Sequence, residues 1–142
     1  MREIQNRCLW LGHAGDLRDP AAVLSVGISA VVELADSEPP AAFPRDVIHC
    51  RFPLSDGGEN AQWLLGLAVE TVAALLKSKV LTLVCCSAGL SRSVAIAAAA
   101  ISAVESRPLA ECLTLVARRG PADVSPNFWH QIQMMLRDKE KK

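Results

Sequence analysis

The sequence has no excess charge of either sign. Its 15 Lys and Arg residues balance its 15 Asp and Glu residues, so the formal net charge at pH 7 is zero. Proteins that bind nucleic acids or other polyanions generally carry a surplus of basic residues. We therefore expect no nucleic-acid partner.

The sequence also has no apolar run long enough to cross a membrane, for which about 20 residues are needed. The uncharged run at residues 93–104 is too short and is predicted to form a buried helix. The first residues, MREIQNR, are polar and do not resemble a secretory leader. We expect no membrane partner and a cytoplasmic location.

Neither the cysteines nor the three histidines are spaced like metal ligands. The cysteine number is odd, which is typical of free thiols in a reducing cytosol. We therefore expect no metal and no cofactor, while the oligomeric state is not indicated. The five cysteines are Cys8, Cys50, Cys85, Cys86 and Cys112.

Apolar residues are plentiful, at 51% of 142 residues, and predict one domain over residues 1–142. Strands alternate with helices in the first two thirds of the chain, and three helices follow in succession. This order predicts an α/β domain with a central sheet covered by helices. The predicted strands are residues 8–11, 28–34, 47–52 and 80–85, and the predicted helices are residues 21–26, 61–77, 91–105, 108–118 and 126–137.

Local signals refine several of these elements. Asp19 and Pro20 predict a capped start for the first helix. Asn60 is predicted to cap the second helix, whose apolar rows begin at Trp63 and Leu64. Alternation of apolar and polar residues predicts that the third strand is a half-exposed edge strand, followed by a loop at 53–59. Residues 138–142 are expected to fray.

The sequence VCCSAGLSRS, at residues 84–93, lies between a predicted strand and a predicted apolar helix. A turn of small residues before a helix presents backbone amides and the positive end of the helix dipole to an anion. Arg92 adds a planar set of donors that matches two phosphate oxygens. We therefore predict a phosphate-binding segment, here named the phosphate loop, made of Ser87, Ala88, Gly89, Leu90 and Ser91.

Two neighbouring cysteines compete for the position beneath this loop. Adjacent side chains in a strand point to opposite faces, so only one thiol can lie under the loop. Cys86 has the favourable spacing, with five residues between it and Arg92. We predict that Cys86 is a nucleophile whose thiolate is favoured by the loop, and that Cys85 is structural.

Hydrolysis of a phosphocysteine also needs a group that protonates the leaving oxygen and later activates water. Asp56 lies in a glycine-containing loop that could swing over the phosphate loop, but Glu59 and Asp36 are competitors. Ser93 is placed to donate its hydroxyl to the cysteine sulfur. A helix-terminal serine bonded to backbone is an equally good interpretation of Ser93.

These residues resemble a known family. VCCSAGLSRS is similar to the signature of the dual-specificity protein tyrosine phosphatases, His-Cys-x-x-Gly-x-x-Arg-Ser/Thr. Weaker similarities follow in the family's order: CLWLGHAGDLRD, GISAVVELAD, RFPLSD and SPNFWHQI. The resemblance therefore covers nearly the whole chain.

The resemblance implies a mixed, mostly parallel sheet of about five strands with helices on both faces. It also implies Cys86 as nucleophile, Arg92 on the phosphoryl oxygens, Asp56 as acid and base, and Ser93 assisting departure of the thiolate. One position departs from the family pattern, because Cys85 stands where the family usually has histidine. In the family, that histidine is thought to order the loop and to help set the pKa of the nucleophile. Its replacement by Cys85 therefore affects how far Cys86 forms a thiolate.

We therefore expect a phosphomonoester hydrolase that acts through a cysteinyl-phosphate intermediate. The resemblance implies a protein phosphatase for phosphotyrosine, phosphoserine or phosphothreonine, so the expected substrate is a phosphoprotein or a small phosphate monoester. The first alternative is a pseudophosphatase that binds phosphoproteins without turnover. A sulfur-transfer enzyme ranks lower, because its loop is typically shorter. The phosphate loop holds no Lys or Arg, which disfavours polyanionic lipid headgroups as substrates.

Overall fold

The computed structural model describes residues 1–140. The strands are β1 (Arg2–Ile4), β2 (Leu9–His13), β3 (Ala30–Ala35), β4 (Ile48–Leu54) and β5 (Thr82–Cys86). The helices are α1 (Pro20–Ser25), α2 (Gln62–Lys77), α3 (Arg92–Glu105), α4 (Leu109–Ala117) and α5 (Pro126–Glu140). A short 3-10 helix, Asp16–Arg18, precedes α1.

The strands form one mixed sheet in the order β1-β2-β5-β3-β4. Only β1 is antiparallel to its neighbour; the other pairings are parallel. The expected five-stranded, mostly parallel sheet flanked by helices is confirmed. Because β5 is central, the carboxyl ends of β2, β3 and β5 lie side by side, where loops of a parallel sheet form sites.

The two faces of the sheet carry different layers. The larger core packs α2, α3, α4 and α5 against one face and includes Cys86. The smaller core packs α1, the 3-10 helix and part of the β3–β4 loop against the other face and includes Cys85. Helix α3 lies deepest, since all residues from Arg92 to Ile101 are buried.

Some local predictions are confirmed. The Asp19 side chain accepts a hydrogen bond from the Ala22 amide, with Pro20 at the first helical position. Strand β4 lies at an edge of the sheet, as its alternation predicts, although it continues to Leu54 and shortens the predicted loop.

Other local predictions are wrong. Asn60 does not cap α2; Ala61 is the cap residue, and the Asn60 side chain bonds Ser55 instead. Trp63 is 68% exposed and Leu67 is also exposed, so the apolar row from Trp63 faces outward at its start. The row from Leu64 is buried as predicted, at Ala68, Val72 and Leu76. Residues 138–140 continue α5, and residues 141–142 lie outside the described part of the chain. Strand β1 was not predicted, because three residues of mixed polarity carry no periodic signal.

Candidate active site

Cys86 ends the central strand and lies beneath the phosphate loop. Its side chain is 4% exposed, and its Sγ lies 3.3 Å from the Ser93 Oγ. The Ser93 amide also donates to this sulfur, at 3.5 Å. Ser93 therefore contacts the sulfur through its side chain and its backbone.

Cys85 lies on the opposite face of β5 and is 1% exposed. Burial raises the pKa of the Cys85 thiol well above its ordinary value, and the charge of Asp16 adds to this effect. Cys85 therefore stays a neutral thiol at physiological pH. The two cysteines are separated as strand geometry predicts.

Three carbonyl groups of the phosphate loop accept hydrogen bonds from residues outside it. The Ser87 carbonyl accepts from the Ala14 amide (3.2 Å), and the Leu90 carbonyl accepts from the Asp123 amide (2.9 Å). The Gly89 carbonyl accepts from the Arg2 Nη2 (3.0 Å). Since carbonyl and amide point in opposite directions along the chain, a loop with outward carbonyls presents amides to its centre.

Glycine is required at position 89 for two reasons. Its φ is 73°, in the left-handed region. A Cβ there would lie 2.8 Å from the Gly12 carbonyl oxygen of the adjacent strand. The loop can therefore lie against β2 only with glycine at this position.

Arg92, at the start of α3, is 7% exposed and held by three neighbours. Its Nη1 donates to the Leu54 carbonyl (2.7 Å) and to Asp36 (3.2 Å). Its Nη2 donates to the Ser87 Oγ (3.1 Å). Among residues 1–140 the buried Nε has no hydrogen-bond partner. An unsatisfied buried donor is costly, and an anion in the loop would satisfy it.

Three carboxylates that the sequence left in competition contact different groups. Asp56 is half-buried, and its Oδ1 accepts from the Ser91 Oγ at 2.5 Å. Asp36 accepts from Arg92, whereas Glu59 is exposed and lies in a groove beside His130. Of the three, Asp56 alone bonds a side chain of the phosphate loop.

Residues 9–140 match the family model for the dual specificity phosphatase catalytic domain. The chain belongs to the dual-specificity phosphatase family. It is a cysteine-dependent phosphatase of the dual-specificity type, as the resemblance implied.

Solved structures with the same fold span almost the entire chain. Human DUSP28 has a TM-score of 0.85 and 22% identity, covering 99% of both chains. A mouse putative dual specificity phosphatase, solved in complex with zinc tungstate, has a TM-score of 0.85 and 22% identity, covering 99% of this chain and 88% of its own. The human tyrosine phosphatase-like serine/threonine/tyrosine-interacting protein has a TM-score of 0.80 and 21% identity. The match covers 99% of this chain and 97% of that protein's chain. A comparison with curated proteins finds no significant match.

The loop that carries Asp56 in this phosphatase is tied down. The Asn60 side chain bonds both the amide and the carbonyl of Ser55, each at 2.8 Å. Gln131 of α5 accepts from Asn60 and donates to the Gly58 carbonyl at 2.7 Å. In the described conformation this glycine-containing loop is anchored to α5 and already places Asp56 against the phosphate loop.

Some residues at the phosphatase site carried no sequence signal. Arg2 bonds the back of the phosphate loop, and Ser37 lies 3.4 Å from Ser87, Oγ to Oγ. Both contacts join distant parts of the chain, so no local spacing could have revealed them. The pairing of Asp36 with Arg92 is of the same kind.

Two further polar contacts lie away from the phosphate loop. His49 pairs with the buried Glu33, and Arg119 donates to the Glu3 carbonyl at 3.4 Å. Within residues 1–140, no cluster of three or more His, Cys, Asp or Glu is arranged to hold a metal ion. No helix in the same described range is long and apolar enough to cross a membrane.

Proposed function

We propose that this phosphatase hydrolyses phosphate monoesters through a cysteinyl-phosphate formed on Cys86. The observation that supports this most directly is the unpartnered, buried Nε of Arg92, at the start of the helix that follows the phosphate loop. A phosphoryl group seated above Cys86 would accept from Arg92 and from the loop amides. These donors would stabilise the equatorial oxygens as charge develops on them.

In the first step the Cys86 thiolate attacks phosphorus in line with the leaving oxygen. The S–P bond forms, the bond from phosphorus to the ester oxygen breaks, and Asp56 gives its proton to that oxygen. The hydrogen bond from Ser91 supports this role, since it holds Asp56 beside the loop.

In the second step water attacks phosphorus and gives a proton to Asp56. The P–O bond to water forms, the S–P bond breaks, and the electron pair returns to sulfur. The Ser93 hydroxyl, 3.3 Å from Sγ, donates to the departing thiolate. Because its hydroxyl contacts Sγ, we favour the functional interpretation of Ser93 over that of a serine that caps the helix backbone.

The proposed substrate is a phosphoprotein or a small phosphate monoester, and neither step uses a metal or cofactor. We also propose a single catalytic domain over residues 1–142 and a cytoplasmic location. The five free thiols support that location, since such thiols persist in a reducing compartment.

A pseudophosphatase that binds phosphoproteins is the alternative. It is favoured by Cys85 at the usual histidine position and by the fold shared with a phosphatase-like interacting protein. Against it stands the presence of Cys86, Arg92 and Asp56 together.

The deciding experiment is turnover of an aryl phosphate in the presence of a chelator, comparing Cys86→Ser with Cys85→Ser. We expect hydrolysis by the unmodified chain and by Cys85→Ser, and a fall to background in Cys86→Ser, because the serine hydroxyl is a far weaker nucleophile than a thiolate. Full activity in Cys86→Ser would contradict the mechanism. Oxyanion binding without any turnover by the unmodified chain would favour the pseudophosphatase.

A further inference from the structure

Arg2 of β1 lies behind the phosphate loop, outside the sequence signature. Its Nη2 donates to the Gly89 carbonyl (3.0 Å) and to the Pro121 carbonyl (2.8 Å). Arg2 therefore joins the first strand, the loop and the turn between α4 and α5. Position 89 is also where the loop backbone adopts its left-handed conformation.

The surroundings of Arg2 are shaped to its side chain. A Cβ at Gly120 would overlap the Arg2 Cδ, so the turn admits the guanidinium because glycine stands there. The Arg2 Nε is buried and has no partner among residues 1–140. Two backbone carbonyls therefore orient the Arg2 guanidinium through Nη2, whereas its Nε donates to no group among residues 1–140.

Arg2 also interacts with Cys86 through charge. Burial lowers the pKa of the Arg2 guanidinium, and the negative charge on Cys86 raises it. Arginine nevertheless stays protonated in proteins, so Arg2 is a fixed positive charge whose field reaches the sulfur.

We propose that Arg2 is a positioning residue of the phosphate loop, which holds the Gly89 carbonyl outward and favours the thiolate of Cys86. The proposal deepens the proposed function and rests on it, because it assigns a second cation to the same nucleophile. By bonding the outer side of Gly89, Arg2 keeps the loop amides turned toward the site.

The charged groups around Cys86 come from several elements. The positive groups are Arg92 of α3, Arg2 of β1, Arg18, which lines the same cavity as Cys86, and the Met1 amino group, which pairs with Asp16. His13, at the end of β2 opposite Cys86, is exposed and faces Asp16. The carboxylates are Asp36, paired with Arg92, Asp56, bonded to Ser91, and Asp16 and Glu33, which act on Cys85.

The test is the pH dependence with which neutral iodoacetamide alkylates Cys86, followed by mass spectrometry of the intact chain and its peptides. A neutral reagent avoids direct attraction by the guanidinium. We expect Arg2→Gln to move the midpoint of the alkylation profile upward, because a partly buried charge of opposite sign that acts on the sulfur is removed. Arg2→Lys should keep most of the profile, since it keeps the charge.

Arg119→Gln is the matched control, because Arg119 bonds the Glu3 carbonyl of the same strand. Its profile should coincide with that of the unmodified chain. Coincidence of the Arg2→Gln profile with these two would overturn the proposal. If Arg2→Gln does not fold, Gly120→Ala takes its place, because the added Cβ crowds Arg2 away from the loop without changing any charge. An upward shift of its alkylation profile supports the proposal, and a profile that matches the unmodified chain overturns it.

Turnover separates this proposal from the proposed function. With an aryl phosphate, Arg2→Gln should lower kcat/KM by the factor that the shift of the alkylation midpoint predicts, which is about tenfold for each pH unit. If the unmodified chain hydrolyses no phosphate ester, the proposed function fails, yet the alkylation profiles still decide the role of Arg2.

Discussion

At the scale of single residues, the three carboxylates around the phosphate loop differ in what they touch. Asp56 bonds Ser91 of the loop, Asp36 orients Arg92, and Glu59 is exposed outside the site. A proton donor must lie within reach of the leaving oxygen, whereas a carboxylate paired with a guanidinium serves to orient it. These contacts support the proposed acid role of Asp56 and a positioning role for Asp36.

Asp56→Asn should therefore lower kcat by about 10²–10⁴-fold for phosphate esters with poor leaving groups. The loss should shrink for a leaving group of low pKa, which departs without protonation. Steady-state kinetics over a series of aryl phosphates measures this dependence. Glu59→Gln is the control and should behave like the unmodified chain; the leaving-group pattern in Glu59→Gln instead would show that the wrong carboxylate was assigned.

At the scale of elements, α3 supports the site from beneath the loop. It packs against α2, α4, α5 and β5, and its buried middle is rich in alanine. Small side chains let neighbouring helices approach closely, so the start of α3 is held rigidly. Arg92 and Ser93 take their positions from that first turn.

Ala98→Leu should consequently destabilise the fold by about 1–3 kcal/mol, because extra methyl groups enter a filled core. Ala103→Leu, at an exposed position of the same helix, is the matched control. It should change the free energy of unfolding by no more than about 0.5 kcal/mol. Urea unfolding followed by circular dichroism measures both, and equal effects of the two substitutions would contradict the packing argument.

At the scale of the whole molecule, folding buries a thiol that water would otherwise solvate. Burial holds the pKa of Cys85 well above its ordinary value, with Asp16 contributing. In the unfolded chain this thiol ionises near pH 8.5 or so. Between that pH and the folded pKa the unfolded state binds fewer protons, so the free energy of unfolding falls as pH rises. The contribution of Cys85 to the free energy of unfolding is fully present below about pH 8.5, and it is lost as the pH rises toward the folded pKa.

We therefore expect stability to fall above about pH 8.5, with Cys85 supplying a slope of at most about 1.4 kcal/mol per pH unit. Urea unfolding at a series of alkaline pH values measures the slope. Cys85→Ala should flatten it, whereas Cys50→Ala, at a partly buried edge position, should leave it unchanged. A slope that Cys85→Ala does not alter would assign the alkaline loss to other groups.

The features that could be predicted from sequence are local ones. The spacing of Cys86 and Arg92 identified the family, and the alternation along β4 identified an edge strand. The mistakes concern residues with distant partners. Asn60 is a residue type typical of helix caps, but its side-chain amide bonds Ser55 and Gln131 instead. Trp63 begins an apolar row, yet its side chain is exposed.

The sequence by itself determined the family, the phosphate loop and the candidate nucleophile, because these depend on residues close together in the chain. A strand followed by a turn and a helix places Cys86 and Arg92 whatever surrounds them. Tertiary structure alone decided that Asp56 bonds the loop, that Asp36 pairs with Arg92 and that Arg2 lies behind Gly89, 87 residues away. Such contacts depend on strand order and helix packing, which bring residues far apart in the sequence next to each other. No local sequence pattern encodes that arrangement.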